Sequence, residues 1–289
     1  MSKYYVVPQE PSTKTLSFER QTGQVNFIVS LQSGFNKSSS YDDLNRFFDL
    51  EYIKANANDM TTKGGRGQAL LFSVPYQLIG ALYGPKKDRA LLSTQELKAN
   101  YHLCLRHYFR GGMIGKLLKD SYWRFSSWAM RARLEFELCN ELYNKGLPVP
   151  RPLIAREQVG TFFVKNDIIV EQIENAINVA ELLERDGTLS AKTLEGIAQA
   201  LVKFAKAKVV HSDLNIRNIL LNEKNECFFI DFDHCGTKEQ FANSDIKAML
   251  SRIERSLNKE KELKGYEQLC VETLIAKIKA SLESQLGVL

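Results

Sequence analysis

The residues best equipped for chemistry sit close together in the last third of the chain: His211-Ser212-Asp213-Leu214-Asn215-Ile216-Arg217-Asn218, then Ile230-Asp231-Phe232-Asp233. Phosphoryl transfer needs few protein groups. A carboxylate orients and deprotonates the attacking hydroxyl, oxygen ligands hold the magnesium that bridges nucleotide phosphates, and a cation steadies those phosphates. Asp213 has the chemistry of the carboxylate. Asn218 and Asp231, an amide and a second carboxylate, suit a hard cation. Taken singly, each residue has an ordinary alternative: Asp213 as a loop cap, Asn218 as a turn residue, Asp231 as a strand-end carboxylate. Their joint spacing is what points to a kinase.

Such residues must be held by short strands, and the sequence offers them. Ile219-Leu220-Leu221 and Phe228-Phe229-Ile230 flank a turn at Asn222–Asn225. Upstream, LEGIAQALVKFAKAK and ELLERDG read as helices, and GTFFVKNDIIVEQI as a hairpin turning at Lys165–Asp167. Leu134, Leu138 and Leu142 recur at helical period and predict a helix over 126–145, stopped by Gly146 and followed by an extended stretch through Pro148, Pro150 and Pro152. YHLCLRHYF reads as a strand, and the glycines of KGGRGQALLFSV run into another. Residues 1–45 are weakly patterned, with strand-like pieces such as VNFIVSL. From about Asp245 the pattern is charged and helical. Strands with one helix, then mostly helices, predict an α+β chain in two lobes, 1–172 and 173–289, joined near Glu171 to Asn178.

Composition agrees with a folded chain: 289 residues, 44% hydrophobic and 25% charged, which excludes collagen-like and wholly disordered classes. The five cysteines are scattered without C-x-x-C spacing, so neither a disulfide framework nor a zinc site is expected, and Cys227, Cys235 and His234 read as structural. No secretory signal is evident at the N-terminus. The longest apolar stretch, Leu70 to Gly84, is too short to span a bilayer, so a soluble chain is expected.

Charge is concentrated. Between Leu103 and Arg133 seven basic residues face Asp120 alone, and the same window holds both tryptophans, Trp123 and Trp128, with four other aromatics. Basic and aromatic residues together suit an anionic surface; the alternative is a solvated helix face over core aromatics. No nucleic-acid partner is expected, because no recognised binding module accompanies the window.

The combined pattern resembles the protein-kinase-like superfamily, and within it the bacterial 3-deoxy-D-manno-octulosonic acid (Kdo) kinases. The resemblance rests on GGRG at 64–67, LRHYFRGGMIGKLLKDSYW at 105–123, RARLEFEL at 131–138, GLPVPRP at 146–152, HSDLNIRNILL at 211–221, IDFD at 230–233 and SRIERSLNK at 251–259. It implies a bilobal fold with a β-rich first lobe and a mostly helical second. It also implies ATP and Mg2+ as cofactors, and transfer to the 4-hydroxyl of Kdo on a lipid A precursor at the cytoplasmic face of the inner membrane, where the chain would be peripheral. By position, Asp213 resembles the catalytic base, and Asn218 and Asp231 the metal ligands. Gly65 and Gly67 resemble the phosphate-approaching loop. Glu135 resembles the helix glutamate that pairs with a phosphate-binding cation, here Arg106 where a lysine is usual, with Lys116 as the alternative. Glu171 and Ile173, at the joint, are expected to contact the nucleotide. Arg217 is expected either near the γ-phosphate or as an ordinary loop arginine. His211 reads as a buried scaffold.

Three departures stand out. Ser212 replaces the arginine of many regulated protein kinases, which favours a small-molecule phosphotransferase over control by activation-loop phosphorylation. Asp233 replaces the glycine of Asp-Phe-Gly. Residues 73–99 look like an insertion of no assigned role. Two other readings compete: another small-molecule or heptose kinase, and a catalytically silent module that keeps the fold to bind a partner.

Overall fold

A computed structural model describes residues 12–63, 69–83, 100–108, 122–125 and 129–287. The chain forms two compact units, one built from Pro8–Glu141 and Arg151–Gln172, the other from Leu142–Pro150 and Ile173–Leu289. Leu142–Pro150 therefore groups with the second unit, ahead of the 172/173 boundary read from the sequence.

The first unit is an antiparallel sheet. Its strands are β1 (Thr13–Arg20), β2 (Gly23–Ser30), β3 (Asp59–Lys63), β4 (Ala69–Pro75), β5 (Asn100–His107), β6 (Tyr122–Trp123), β7 (Pro152–Val159) and β8 (Phe163–Glu171), in the order β1-β2-β7-β8-β5-β4-β3 with β6 beside β8. Helices α1 (Tyr41–Asn45), α2 (Leu50–Asn56), α3 (Tyr76–Tyr83) and α4 (Arg131–Asn144) accompany it. Successive strand residues face opposite sides, so the sheet serves two cores. Phe27, Val29, Ile154 and Ile169 pack with Leu44, Phe47, Tyr76, Ile79 and Leu82 of the short helices. Ile28, Ala155 and Ile168 pack with Ala132 and Phe136 of α4. Phe136 is fully buried, and truncating it should cost about 3–5 kcal/mol.

Four expectations are corrected. Residues 13–20, read as weakly patterned, form a strand that pairs in a full hairpin with the strand-like piece VNFIVSL, which in turn pairs with β7. At its turn Gly23 takes φ +133°, and a side chain there would collide with the Val159 carbonyl. The segment 73–99, given no role from the sequence, contributes to the core: residues 73–75 finish β4 and α3 buries Tyr76, Ile79 and Leu82, while 84–99 lie outside the described residues. The hairpin placed at Lys165–Asp167 turns instead between β7 and β8, around Gly160–Phe162, and β8 runs straight through the polar trio. Asp167 is buried there because neighbouring strands supply partners: His107 Nδ1 lies 2.6 Å from Asp167 Oδ1, and Arg156 Nε donates to Oδ2 at 2.9 Å. Burial pushes the Asp167 carboxyl up, but the His107 hydrogen bond and the Arg156 charge outweigh it and hold the group below its usual range. Finally, Leu138 and Leu142 are buried in α4 as expected but Leu134 is only half-buried; the inward stripe is Ala132, Glu135, Phe136, Cys139 and Leu142. Gly146, at φ +74°, ends that helix as read.

The second unit contains β9 (Ile177–Asn178), α5 (Val179–Asp186), α6 (Ala191–Lys206), β10 (Val209–Val210), β11 (Ile219–Leu221), β12 (Cys227–Phe229), β13 (Gly236–Thr237), α7 (Asn243–Lys264) and α8 (Val271–Leu286). β12, β11 and β9 form one small sheet, β10 and β13 another. Asn178 caps α5 reciprocally with Glu181, fixing where the helix begins beside β11. The α+β expectation holds.

Candidate active site

The loop 211–218 runs from β10 into β11 and is stitched to itself. The Asn218 side-chain amide donates to the Asp213 carbonyl at 2.8 Å, and the Asn218 backbone N–H donates to the Asn215 carbonyl at 3.0 Å. Asn215 Nδ2 donates to Asp213 Oδ2 at 3.1 Å, which orients that carboxylate. The amide nitrogen of Asn218 is thereby committed to the loop, and of its two side-chain polar atoms the oxygen is the one with ligating chemistry. The next strand brings the other carboxylate alongside: Ile230 N–H donates to the Asn218 carbonyl at 3.0 Å, so Asp231 follows directly from that contact.

His211 is the post between the two segments. It is fully buried; the Asp213 backbone N–H donates to its Nδ1 at 3.3 Å, and its Nε2 bonds the Ile230 carbonyl at 3.0 Å. An acceptor at Nδ1 and a donor at Nε2 describe the neutral ring. Burial holds its pKa below the ordinary value, against the opposing pull of the Ile230 carbonyl and the Asp231 and Asp213 charges. The scaffold reading of His211 fits this geometry.

Asp231 has φ +65°, a left-handed conformation that costs a non-glycine residue about 1–2 kcal/mol. Its neighbour Phe232 is locked, with its ring centroid 5.0 Å from His211 and 5.8 Å from Phe204. Packing of this kind is what maintains a strained residue at a functional position. The Ser212 hydroxyl donates to the backbone carbonyl of Asp233 at 3.2 Å, so Ser212, one of the departures from the usual kinase motif, serves the link between the two segments.

In the first unit, Arg106 on β5 donates through Nη2 to Glu135 Oε2 of α4 at 2.6 Å. The Tyr108 hydroxyl donates to the same oxygen, and the Arg106 and Arg131 guanidinium groups each lie 5.2 Å from the Tyr108 ring centroid. Sequence reasoning missed Tyr108. The signal was present: two residues along a strand share a face, so Tyr108 had to accompany Arg106.

A family model described as the lipopolysaccharide kinase (Kdo/WaaP) family matches residues 77–272. The chain belongs to this family. It is similar to a protein of Vibrio cholerae named 3-deoxy-D-manno-octulosonic acid kinase, 40% identical over 211 residues that cover 70% of this chain and 88% of the relative. Two Haemophilus influenzae proteins of the same name are 37% identical over 206 residues (65% of this chain, 83% of the relative) and 34% identical over 232 residues (78% and 86%). A lipopolysaccharide kinase family member has the protein-kinase-like fold and a kinase's activity, as the resemblance implied.

Of the remaining residues read from the sequence, Arg217 belongs to the same loop, where its backbone N–H donates to Asn215 Oδ1 at 2.9 Å. Arg217 donates to Glu260 Oε2 of α7 at 2.7 Å. Glu171 ends β8, opposite Leu103 of β5, and its N–H donates to the Arg151 carbonyl at 2.8 Å. Ile173, half-buried, begins the second unit's main segment. Gly65, Gly67 and Lys116 lie outside the described residues.

The donor chemistry fits magnesium as a kinase of this family would hold it. Among the described residues no three His, Cys, Asp or Glu side chains gather as a protein-only cage. One amide oxygen and one carboxylate, completed by phosphate oxygens and water, is the ligand set magnesium favours.

Proposed function

We propose that this lipopolysaccharide kinase transfers the γ-phosphoryl group of ATP to the 4-hydroxyl of Kdo carried on a lipid A precursor, with Asp213 as base. The observation that carries the reading is the tie between Asn218 and both segments, to the Asp213 carbonyl on one side and from the Ile230 N–H on the other. The names of the relatives support Kdo as the acceptor. Asp213 accepts the sugar hydroxyl proton as the oxygen forms its bond to the γ-phosphorus and the bond from that phosphorus to the bridging oxygen of ADP breaks. Asn218 and Asp231 would hold magnesium, which would supply charge neutralisation on the phosphates. Arg106, oriented by Glu135 and Tyr108, steadies the phosphates, and Glu171 and Ile173 contact the nucleotide.

The acceptor is a lipid, and we infer a peripheral site of action at the cytoplasmic face of the inner membrane. Among the described residues no helix is long and apolar enough to cross a membrane. Trp123, Phe125 and Phe162 are 47%, 77% and 56% exposed and cluster around the Trp123 ring, beside the exposed Arg124 and Lys165. Exposed aromatics flanked by cations suit an anionic bilayer interface.

The test is incubation of the purified chain with ATP, magnesium and Kdo-bearing lipid A precursor, followed by mass spectrometry. A single phosphate increment on Kdo, localised to the 4-position, is expected. An increment on heptose, or none with any sugar acceptor, overturns the reading in favour of a different small-molecule kinase or a silent module.

A further inference from the structure

The loop 211–218 is bonded to itself and, towards its ends, to Ile230 and Asp233 just past β12, yet its middle is held from elsewhere. The Ile216 N–H donates to Ser256 Oγ of α7 at 3.1 Å, and the Ile216 carbonyl accepts from the Val179 N–H of α5 at 3.1 Å. Ser256 spends its own proton on the Ile253 carbonyl at 2.8 Å, which leaves a lone pair aimed at the loop. One turn further along α7, on the same face, Glu260 accepts from Arg217 Nη2 at 2.7 Å. The Glu260 side chain is 7% exposed and that of Arg217 59%, so the helix contributes a buried anion and the loop reaches back to it. From there the bonds continue to the candidate base. The Arg217 N–H donates to Asn215 Oδ1 at 2.9 Å, and Asn215 Nδ2 donates to Asp213 Oδ2.

We propose that Ser256 and Glu260 of α7 are positioning residues that set the arc of the loop and, through Ile216, Arg217 and Asn215, the orientation of the Asp213 carboxylate. This rests on Asp213 being the base. It gives Arg217 a mechanical place in the reaction, its guanidinium tying the loop to the buried Glu260. It also gives a role to the stretch SRIERSLNK, which the phosphoryl-transfer chemistry by itself leaves unexplained. A small displacement of a base from its acceptor is costly to turnover and nearly neutral to nucleotide binding.

Full-length Ser256→Ala, Ser256→Thr, Glu260→Gln, Arg217→Gln and the Arg217→Gln/Glu260→Gln double variant decide the matter. Ser256→Ala and Glu260→Gln are expected to lower kcat about tenfold, with KM for ATP within about twofold. Ser256→Thr, which keeps the hydroxyl, should restore most of the rate, and the double variant should be no slower than the slower single one. Amide exchange of 211–218, followed by mass spectrometry without nucleotide or acceptor, should quicken in Ser256→Ala and not in Ser256→Thr. An Arg217→Gln variant with raised KM for ATP, beside Glu260→Gln at wild-type kcat, overturns the proposal and returns Arg217 to the phosphate. Unchanged exchange in Ser256→Ala overturns it as well. If the wild-type chain phosphorylates no Kdo acceptor, the functional reading fails, while the exchange comparison still decides whether α7 holds the loop.

Discussion

Arg106 Nη2 stands 2.6 Å from Glu135 Oε2, and Tyr108 donates to the same carboxylate oxygen from the same strand face. The Glu135 side chain is 3% exposed and that of Arg106 24%, so a buried anion anchors a cation whose outer edge reaches solvent. Arginine carries five N–H donors, and bonding Glu135 through Nη2 is compatible with bonding phosphate oxygens through others. Lysine, a point charge, has no such fork.

Arg106→Ala and Glu135→Ala should therefore each reduce kcat/KM, and the double variant should fall short of the product of their effects, because each single change disables one pair. Steady-state kinetics of the four proteins is the measurement. Clean additivity would assign the phosphate-binding role to another cation, Lys116 first. Arg106→Ala also takes a cation away from the buried Glu135, so a loss of stability of up to about 3–5 kcal/mol is expected for that variant.

For Asp213, replacement by Asn keeps the shape and the bond from Asn215 while removing the proton acceptor. Turnover should fall by about two to four orders of magnitude with ATP affinity nearly unchanged. Rapid-quench and equilibrium nucleotide binding read the two quantities separately. Near-wild-type turnover in Asp213→Asn would remove Asp213 from the base's role.

Asn218 and Asp231 bear on the metal. Asp231→Asn keeps an oxygen ligand but removes its charge, so the magnesium concentration for half-maximal rate should rise at least about tenfold, with partial recovery at high magnesium. A titration in which wild type and variant superimpose would exclude Asp231 as a ligand.

The sequence made local relationships legible and left distant ones hidden. The helix end at Gly146, the short strands around Asn222–Asn225 and the pairing of Arg106 with Glu135 follow from spacing, turn chemistry and family motif. The straight course of β8 does not. Lys165-Asn166-Asp167 has a turn's composition, and only His107 and Arg156, on the strands either side, make a buried Asp167 tolerable. Arg217 failed to announce itself for the same reason, since its partner Glu260 lies 43 residues away. Residues 76–83 were opaque because an apolar segment with an internal glycine reads equally as insertion or core helix until the sheet it covers is known.

His211 supplies a pH signature. Its folded pKa lies below the ordinary 6.5, so between the folded value and 6.5 the unfolded chain binds more protons than the folded one. Stability should then decline as pH falls below about 6.5, by at most about 1.4 kcal/mol per pH unit from this group. Asp167, held below its usual 3.8, works in a separate window: its contribution persists above that value and is lost only at more acidic pH. Melting temperatures measured between pH 7.5 and 5 should slope downward in the wild type and flatten in His211→Gln. An equal slope in both proteins would place the titrating group elsewhere.

The membrane reading turns on which way the aromatic cluster faces. Trp123 stacks with Phe162 at 6.2 Å and touches Phe125 at 6.3 Å, yet all three remain substantially exposed. A cluster kept wet would give up apolar area without compensation, whereas at a bilayer interface the same rings are favoured and each nearby cation contributes about 1 kcal/mol. Arg124 and Lys165 are the described cations beside it; Lys116 and Lys119 complete the basic window outside the described residues. The cluster predicts co-sedimentation with anionic vesicles that weakens as salt is raised, because part of the attraction is screened. Phe125→Ser/Phe162→Ser should lower binding at every salt concentration. Arg124→Glu/Lys165→Glu should lower it chiefly at low salt, since only the screened part is removed. All four positions are exposed, so both variants should keep the wild-type melting temperature within a few degrees. Binding indifferent to both changes would leave the rings as ordinary surface aromatics and move the membrane contact elsewhere on the chain.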